Sequence, residues 1–248
     1  MSQEKRRSCG FLPDLSIRAS VPELMDDAHC SRERLLRTID SFRIVNWLFA
    51  RYRHVLRHWL LADMLTDPQR TYRVADLGAG GCDIPMWLLR KAAGLGLTIS
   101  VLAVEVDERI AAYSRNTCRS MQGLEILCQD AKDLKALGPV DYVIGNHFLH
   151  HLEYAEIRQL LCQAVSMPLR RFVFTDLLRS YPAFYLHSAV AALLCPGTFV
   201  GEDGRRSIRR GFLVSEMIAL LSRIGIRDRV QVHTMLPARI VIVGNGTA

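Results

Sequence analysis

Apolar residues recur along the chain at two different periods, and the change falls near residue 71. From Pro22 to about Leu65 they return every three or four positions. "SRERLLRTIDSF", with Ser31 placed to cap it, and "IVNWLFARYRHVLRHWLLADML" therefore predict helices. From Tyr72 the apolar runs shorten: "YRVADLG", "TISVLAVEV", "LEILCQD", "DYVIGN" and "RRFVFTDL" predict five strands. Between them "IPMWLLRKAAGL", "DERIAAYSRNTCRSM", "AKDLKAL" and "EYAEIRQLLCQAV" predict helices or single turns. Strand alternating with helix is the signature of a parallel sheet covered on both faces. The tail adds a helix, "LVSEMIALLSRIG", and two strands, "RVQVHTML" and "ARIVIVG", separated by Pro237, which fit a final hairpin at the sheet edge. The stretch "YPAFYLHSAVAALLCPGTFV" holds no Asp, Glu, Lys or Arg. Pro182 and Pro196 limit its helix to roughly 13 residues, short of the ~20 needed to cross a bilayer, so it predicts a buried or lid helix. The expected organisation is an N-terminal helical cap region over 1–70 and a core over 71–248, with a lid insertion at about 178–212.

Composition narrows the class. Half of the 248 residues are hydrophobic, enough for one large domain or two small ones without staples. Seven cysteines, at 9, 30, 82, 118, 128, 162 and 195, form no C-x-x-C or Cys/His spacing. They imply reduced thiols, a cytoplasmic location and no metal. "MSQEKRRSCG" has no apolar run behind its charges and is expected to be a frayed tail. The net charge of +7 is uneven: +3 over 1–70, −2 over 71–168, +5 over 169–229 and +1 from Arg239. A polyanion surface would want a continuous basic stripe with interleaved aromatics. "FRIVNWLFARYRHVLRHW" has some of that look, but its arginines also suit an exposed helix face.

The chemistry starts at "DLGAGGCDIP", residues 76 to 85. A glycine turn between a first strand and a first helix can serve a mononucleotide phosphate, a dinucleotide or S-adenosylmethionine. No Gly-Lys-Ser/Thr follows, which removes a triphosphate site. The spacing is D-x-G-x-G-G-C, with Asp76 before the glycines, where it would oppose a pyrophosphate at the helix N-terminus. Beside a sulfonium and an α-ammonium, Asp76 and Asp83 are favourable. Glu105 at the end of the second run is placed to accept both hydroxyls of a ribose. Asp130 at the end of the third is placed to meet an adenine amino group.

With those residues the chain resembles the class I S-adenosylmethionine-dependent methyltransferases. "VADLGAGGCDIP", "LAVEVD", "CQDA" and "DYVIGNHFLHHL" are similar to their first four motifs. "NHFLHHL", "TDLLRS", "DGRRSIRRGF" and the upstream "ELMDD" resemble a bacterial group acting on quinones and phenolic metabolites. The resemblance implies a doubly wound, seven-stranded, mostly parallel α/β sheet of Rossmann-like form, with N-terminal helices and a helical lid. It implies S-adenosylmethionine as cofactor, held by Asp76, Gly78, Gly80, Asp83, Glu105, Val106, Asp130, Ala131 and Asn146. The family usually has glycine where Cys82 stands; that position starts the helix and asks for a small side chain.

Methyl transfer from a sulfonium needs in-line approach of a nucleophile whose lone pair has been freed. For a phenol, with a pKa near ~10, a histidine close to the methyl is a suitable base. His150 and His151, after the fourth strand, are the catalytic candidates. His147, Asp176, Arg179, Phe184, Tyr185 and His187 are the expected substrate contacts, the aromatics as a wall. "RRSIRR" suits either a solvated turn or an acidic substrate group. The reading is methyl transfer to a small aromatic acceptor: O-methylation of a phenol or quinol, with C-methylation of a quinone-type ring as the alternative. An RNA or protein methyltransferase is the further alternative; the missing Pro-Pro after Asn146 and the uncharged lid count against nucleic acid. No membrane span is expected, and a homodimer is compatible with these features.

Overall fold

The change of period near residue 71 marks the first strand of a seven-stranded sheet. The computed structural model describes residues 13–45 and 51–248. The expected frayed tail and the "NWLFA" part of the second helix lie outside the described residues. The strands are β1 (Thr71–Leu77), β2 (Thr98–Glu105), β3 (Leu124–Cys128), β4 (Tyr142–Asn146), β5 (Arg171–Leu177), β6 (Val230–Met235) and β7 (Arg239–Gly244). Their order is β3-β2-β1-β4-β5-β7-β6. The first five run parallel, and β7 is antiparallel to both β5 and β6. The expected terminal hairpin is present, with β7 inserted beside β5 and β6 left at the edge. β7 is buried along its whole length, whereas β6, at the edge, is buried only at Val230 and is exposed or half-buried beyond it.

Helices cover both faces. The described helices are α1 (Arg32–Val45), α2 (Tyr52–Leu56), α3 (Ala62–Met64), α4 (Asp83–Ala93), α5 (Glu108–Thr117), α6 (Tyr154–Ser166), α7 (Tyr181–Leu194), α8 (Val200–Arg210) and α9 (Val214–Arg223). A π-helical turn, Arg57–Leu61, joins α2 to α3. One face of the sheet packs Val74, Val101, Ile144, Val173 and Val241 against Leu56, Leu60, Leu61 and Met64, together with Leu88 of α4. The other packs Leu77, Val143, Phe172, Phe174 and Ile242 against Leu160 and Leu161 of α6 and Met217 and Leu221 of α9. Each fully buried Phe or Leu contributes about 1.5–3 kcal/mol. Gly145 makes room for Phe174, whose Cδ1 would lie 3.0 Å from an added Cβ.

Residues 52–64 therefore form part of a covering layer. Tyr52 donates its hydroxyl to the Val173 carbonyl at 3.2 Å, and Tyr142 donates to Asp63 at 2.5 Å. The charge-free stretch begins as the 14-residue α7, capped by Ser180 with Pro182 in its first turn. "RRSIRR" is helical within α8, so the reading of it as a turn does not hold. α7 and α8 both sit between β5 and α9 in sequence. The chain leaves β1 for β2 and β3 on one side, then returns to β4 and β5 on the other. That reversal opens a crevice at the carboxyl ends of the strands.

Candidate active site

A cavity of about 870 Å³ occupies the crevice. The glycine turn, the ends of β2 and β4, α7, α8, the start of β7 and the segment from Glu23 to Ala28 line it.

At its β1–β3 end the backbone sets the shape. Gly78 and Gly80 hold φ of +66° and +51°, a region costly for side chains. A Cβ on Gly78 would also lie 2.9 Å from Phe148 Cδ2. The Gly78 and Ala79 amides donate to the Val104 carbonyl, at 2.9 and 3.0 Å, folding the turn over β2. Glu105 accepts from the Gly80 and Asp107 amides, both at 3.0 Å, which aims its carboxylate across the turn. Cys82 is buried at φ +58°, and Asp83 opens α4. Burial, then Asp83 and Glu105, push the Asp76 carboxyl well above its ordinary range. Burial raises Glu105 as well. Acids that suppress one another's ionisation this way are stabilised by an arriving cation. Val106, 68% exposed, offers an apolar face at the rim. Asp130 and Ala131 line the cavity, but Asp130 is paired with Lys132, whose Nζ lies 2.9 Å from it and 3.0 Å from Glu156.

The other end is built from side chains. His150 is 2% exposed; its Nδ1 lies 2.7 Å from Asp176 Oδ1 and its Nε2 3.2 Å from Glu23 Oε1. Its backbone amide donates to Asp176 Oδ2 at 3.0 Å. Against burial, which would lower it, the two carboxylates hold the His150 imidazole up to about 9. Burial alone would raise Glu23; hydrogen bonding from His150 and the histidine charges hold it down at about 2. Asp176 likewise, against its burial, is kept well below the usual carboxylate range by His150. His150 is thus a cation near neutrality with both ring nitrogens engaged. His151, one third exposed, has its nitrogens 3.9 Å from Glu23 and 3.6 Å from Asp26, beyond hydrogen-bonding distance. His147 takes φ +56°, and burial followed by the Arg239 charge pushes its imidazole well below its ordinary pKa.

The structure brings Asp76, Gly78, Gly80, Asp83, Glu105, Val106, Asp130, Ala131, Asn146, His147, His150, His151 and His187 to one cavity. Four expected substrate contacts do not line it. Arg179 is turned inward, donating to the Leu15 and Gly211 carbonyls and to Glu216. Asp176 lies behind His150. Phe184 and Tyr185 pack edge to face on each other, 5.6 Å between ring centroids, and Pro182, Ala183, Leu186, His187, Val190 and Ala191 form the wall instead. His187 bonds the Val200 carbonyl through Nε2 at 2.9 Å, docking α7 on α8 against Gly204, where any side chain would collide with its ring.

Sequence reasoning assigned no role to Glu23, Asp26 or Arg239, and took Arg210 only as part of the basic "RRSIRR" cluster. Arg210 donates to the His150 and His151 carbonyls, and Arg18 to the His150 and Leu152 carbonyls, so α8 and the N-terminal segment jointly fix the histidine turn. The Asp203 carboxylate receives the Leu24 and Met25 amides, which places Glu23 against His150. The available signals were "ELMDD" and the arginine-rich "DGRRSIRRGF".

No protein-family model matches the chain, and no curated protein matches it in sequence. Solved structures do match in fold. Human N-acetylserotonin methyltransferase in complex with SAM aligns at a TM-score of 0.61 with 15% identity, over 88% of this chain and 57% of that one. The plantazolicin methyltransferase BamL, with a desmethyl-plantazolicin analog and SAH, gives 0.54 and 11%, over 90% and 88%. Magnesium protoporphyrin IX methyltransferase from Synechocystis PCC 6803, with SAH, gives 0.53 and 14%, over 90% and 91%. Strand order, glycine turn and these likenesses agree: the chain has the fold of the class I S-adenosylmethionine-dependent methyltransferases.

Proposed function

We propose that the chain is an S-adenosylmethionine-dependent methyltransferase acting on a small aromatic acceptor, most simply at a ring hydroxyl. The carrying observation is the polarity of one cavity, with crowded carboxylates on a glycine turn at one end and a histidine cluster walled by apolar residues at the other. Asp76 and Asp83 suit the charged methionine end of the cofactor, Glu105 the ribose, and Val106 with Asp130 and Ala131 the adenine. The cofactor supplies an electrophilic methyl. His151 is the cavity histidine with neither ring nitrogen in a hydrogen bond and is the proposed base, with Glu23 and Asp26 nearby. The acceptor oxygen, its proton passed to His151, would take that methyl. His150, locked by Asp176 and Glu23, positions its neighbour. Apolar residues of α7 with Val200 and Ile208 of α8 exclude water and hold a ring.

An RNA or protein acceptor is disfavoured by the fate of the basic cluster: Arg205 and Arg206 pair with Glu202, and Arg210 is buried on carbonyls. Carbon methylation of the same ring is supported by the fold of the CurJ carbon methyltransferase, TM-score 0.51 at 14% identity; this chain spans half of that one. Calorimetry with the cofactor, its demethylated product and NAD, followed by labelled methyl transfer to phenols, quinols and RNA, tests the reading. Affinity for NAD equal to that for the cofactor overturns it. The labelled product's structure separates oxygen from carbon.

A further inference from the structure

The acceptor end of the cavity holds a positive charge that the reaction as proposed does not use. Arg239 opens β7, lines the cavity and is 3% exposed. Its guanidinium donates to Asn146 Oδ1 at 2.5 Å, to Thr175 Oγ1 at 3.1 Å and to His147 Nε2 at 2.7 Å. All three acceptors are neutral, His147 because burial and Arg239 itself keep it unprotonated. The Nε–H has no partner. Among the described residues no carboxylate lies within 4.0 Å of this guanidinium. The nearest influential acid, Asp176, is already committed to His150. Burial lowers Arg239 only to about 10, so it is charged at neutral pH.

Other buried arginines of the molecule are satisfied differently. Arg179 has Glu216, and Arg210 places Nε, Nη1 and Nη2 on backbone carbonyls. A buried charge lacking both a counter-ion and a full set of acceptors is expensive unless a partner arrives. The cofactor's own carboxylate is the rival partner: the backbone of Arg239 lies on β7, three strands from Asp76 on β1, but its guanidinium reaches back over Thr175 of β5 to Asn146 at the end of β4. Its remaining contact, His147, belongs to the histidine end of the cavity, which favours the acceptor.

We propose that Arg239 binds an anionic oxygen of the acceptor, so that the site selects aromatic acids or ionised phenols over neutral rings. This rests on the methyltransferase reading for the cofactor's position, and it deepens that reading by naming the charge of the substrate. Guanidinium donors in a dry site match a carboxylate or phenolate and strengthen there. A neutral isostere leaves the guanidinium without a counter-ion.

The test is equilibrium binding to protein saturated with S-adenosylhomocysteine, which needs no turnover. One arm compares 4-hydroxybenzoate with 4-hydroxybenzamide; the other compares 4-nitrophenolate with 4-nitroanisole. Wild type should prefer at least one anion over its neutral partner by about 10- to 100-fold. The preference should vanish in Arg239→Met and shrink in Arg239→Lys, with S-adenosylhomocysteine binding unchanged. If the methionine variant does not fold, the lysine variant decides. Absence of a preference in wild type, or its persistence undiminished in the folded variants, overturns the proposal. Loss of S-adenosylhomocysteine binding in a folded variant also overturns it, by assigning Arg239 to the cofactor's carboxylate. Failure of wild type to bind S-adenosylhomocysteine at all would instead strike the methyltransferase reading.

Discussion

The two ends of the cavity share one sheet edge and are built by different means. At the β1–β3 end, the shape comes from backbone: two left-handed glycines, a turn bonded to β2, and acids at consecutive strand ends. Those residues come from three short stretches, each close to a strand end. At the other end, Glu23, His150, Asp176, Ser207 and Arg239 meet across the length of the chain. The first end is a local consequence of a turn and is expected to act on binding. The second is a long-range network and is expected to act on reaction and selectivity.

Turnover gives the largest expected separation between them. His151→Ala should lower methyl transfer to an un-ionised phenol about 10²–10⁴-fold while cofactor affinity is kept. The defect should narrow as pH approaches the phenol's own pKa near ~10. A defect equal at all pH values would make His151 a positioning group. The mirror-image change is Glu105→Ala, which should weaken cofactor binding by about 1.5–3 kcal/mol, the scale of hydrogen bonds to a charged group. A calorimetric loss under ~0.5 kcal/mol would detach Glu105 from the ribose. If each variant damaged the other's observable, the division between the ends would fail.

Legibility follows the same division. Asp76, Gly78, Gly80, Glu105 and Asp130 were readable because each is tied to a strand end or to a turn its own neighbours define. The strands were readable for the same reason, since period-2 and buried runs are local. Arg239 was not readable: at the start of a strand it looks like an edge solubiliser, and only the insertion of β7 beside β5 buries it. Glu23 was legible as part of "ELMDD" but its role was not, because Asp203, 180 positions away, fixes it. Phe184 and Tyr185 misled because α7 is apolar all round, so composition could not say which face meets the cavity. Arg179 misled in the opposite way, since its position after β5 suits a ligand contact and its acceptors, the Leu15 and Gly211 carbonyls, are distant in sequence.

Stability against pH sharpens the long-range end further. His150 is held up to about 9 in the folded state against about 6.5 unfolded, a difference worth about 3 kcal/mol. For a raised pKa, that contribution is complete below 6.5 and is lost as pH climbs through 9. Glu23, depressed to about 2, contributes above its unfolded value of about 4.5 and loses its share as pH falls through 2. Denaturant unfolding of the wild type should therefore weaken between pH 7 and 10, and His150→Gln should remove most of that slope. A slope that survives in the variant would locate the alkaline loss elsewhere.

The smallest effect is expected at Cys82, inside the backbone-built end. A non-glycine residue in the left-handed region costs about 1–3 kcal/mol, and at φ +58° Cys82 is one. Glycine would remove that strain. It would also add conformational freedom to the unfolded chain, about 0.4–1 kcal/mol, and forfeit roughly 1 kcal/mol of packing against Ala79, Ala103 and Cys118. The terms oppose and nearly cancel, so Cys82→Gly should change unfolding free energy by no more than about 1 kcal/mol. Turnover should be unaffected, because hydrogen bonding with Cys118 and then burial raise the Cys82 thiol and keep it protonated and unreactive. Destabilisation beyond ~2 kcal/mol would mean that the sulfur's packing outweighs the strain. Folded protein without activity would make the thiol a participant, and the turn would then be more than a backbone device.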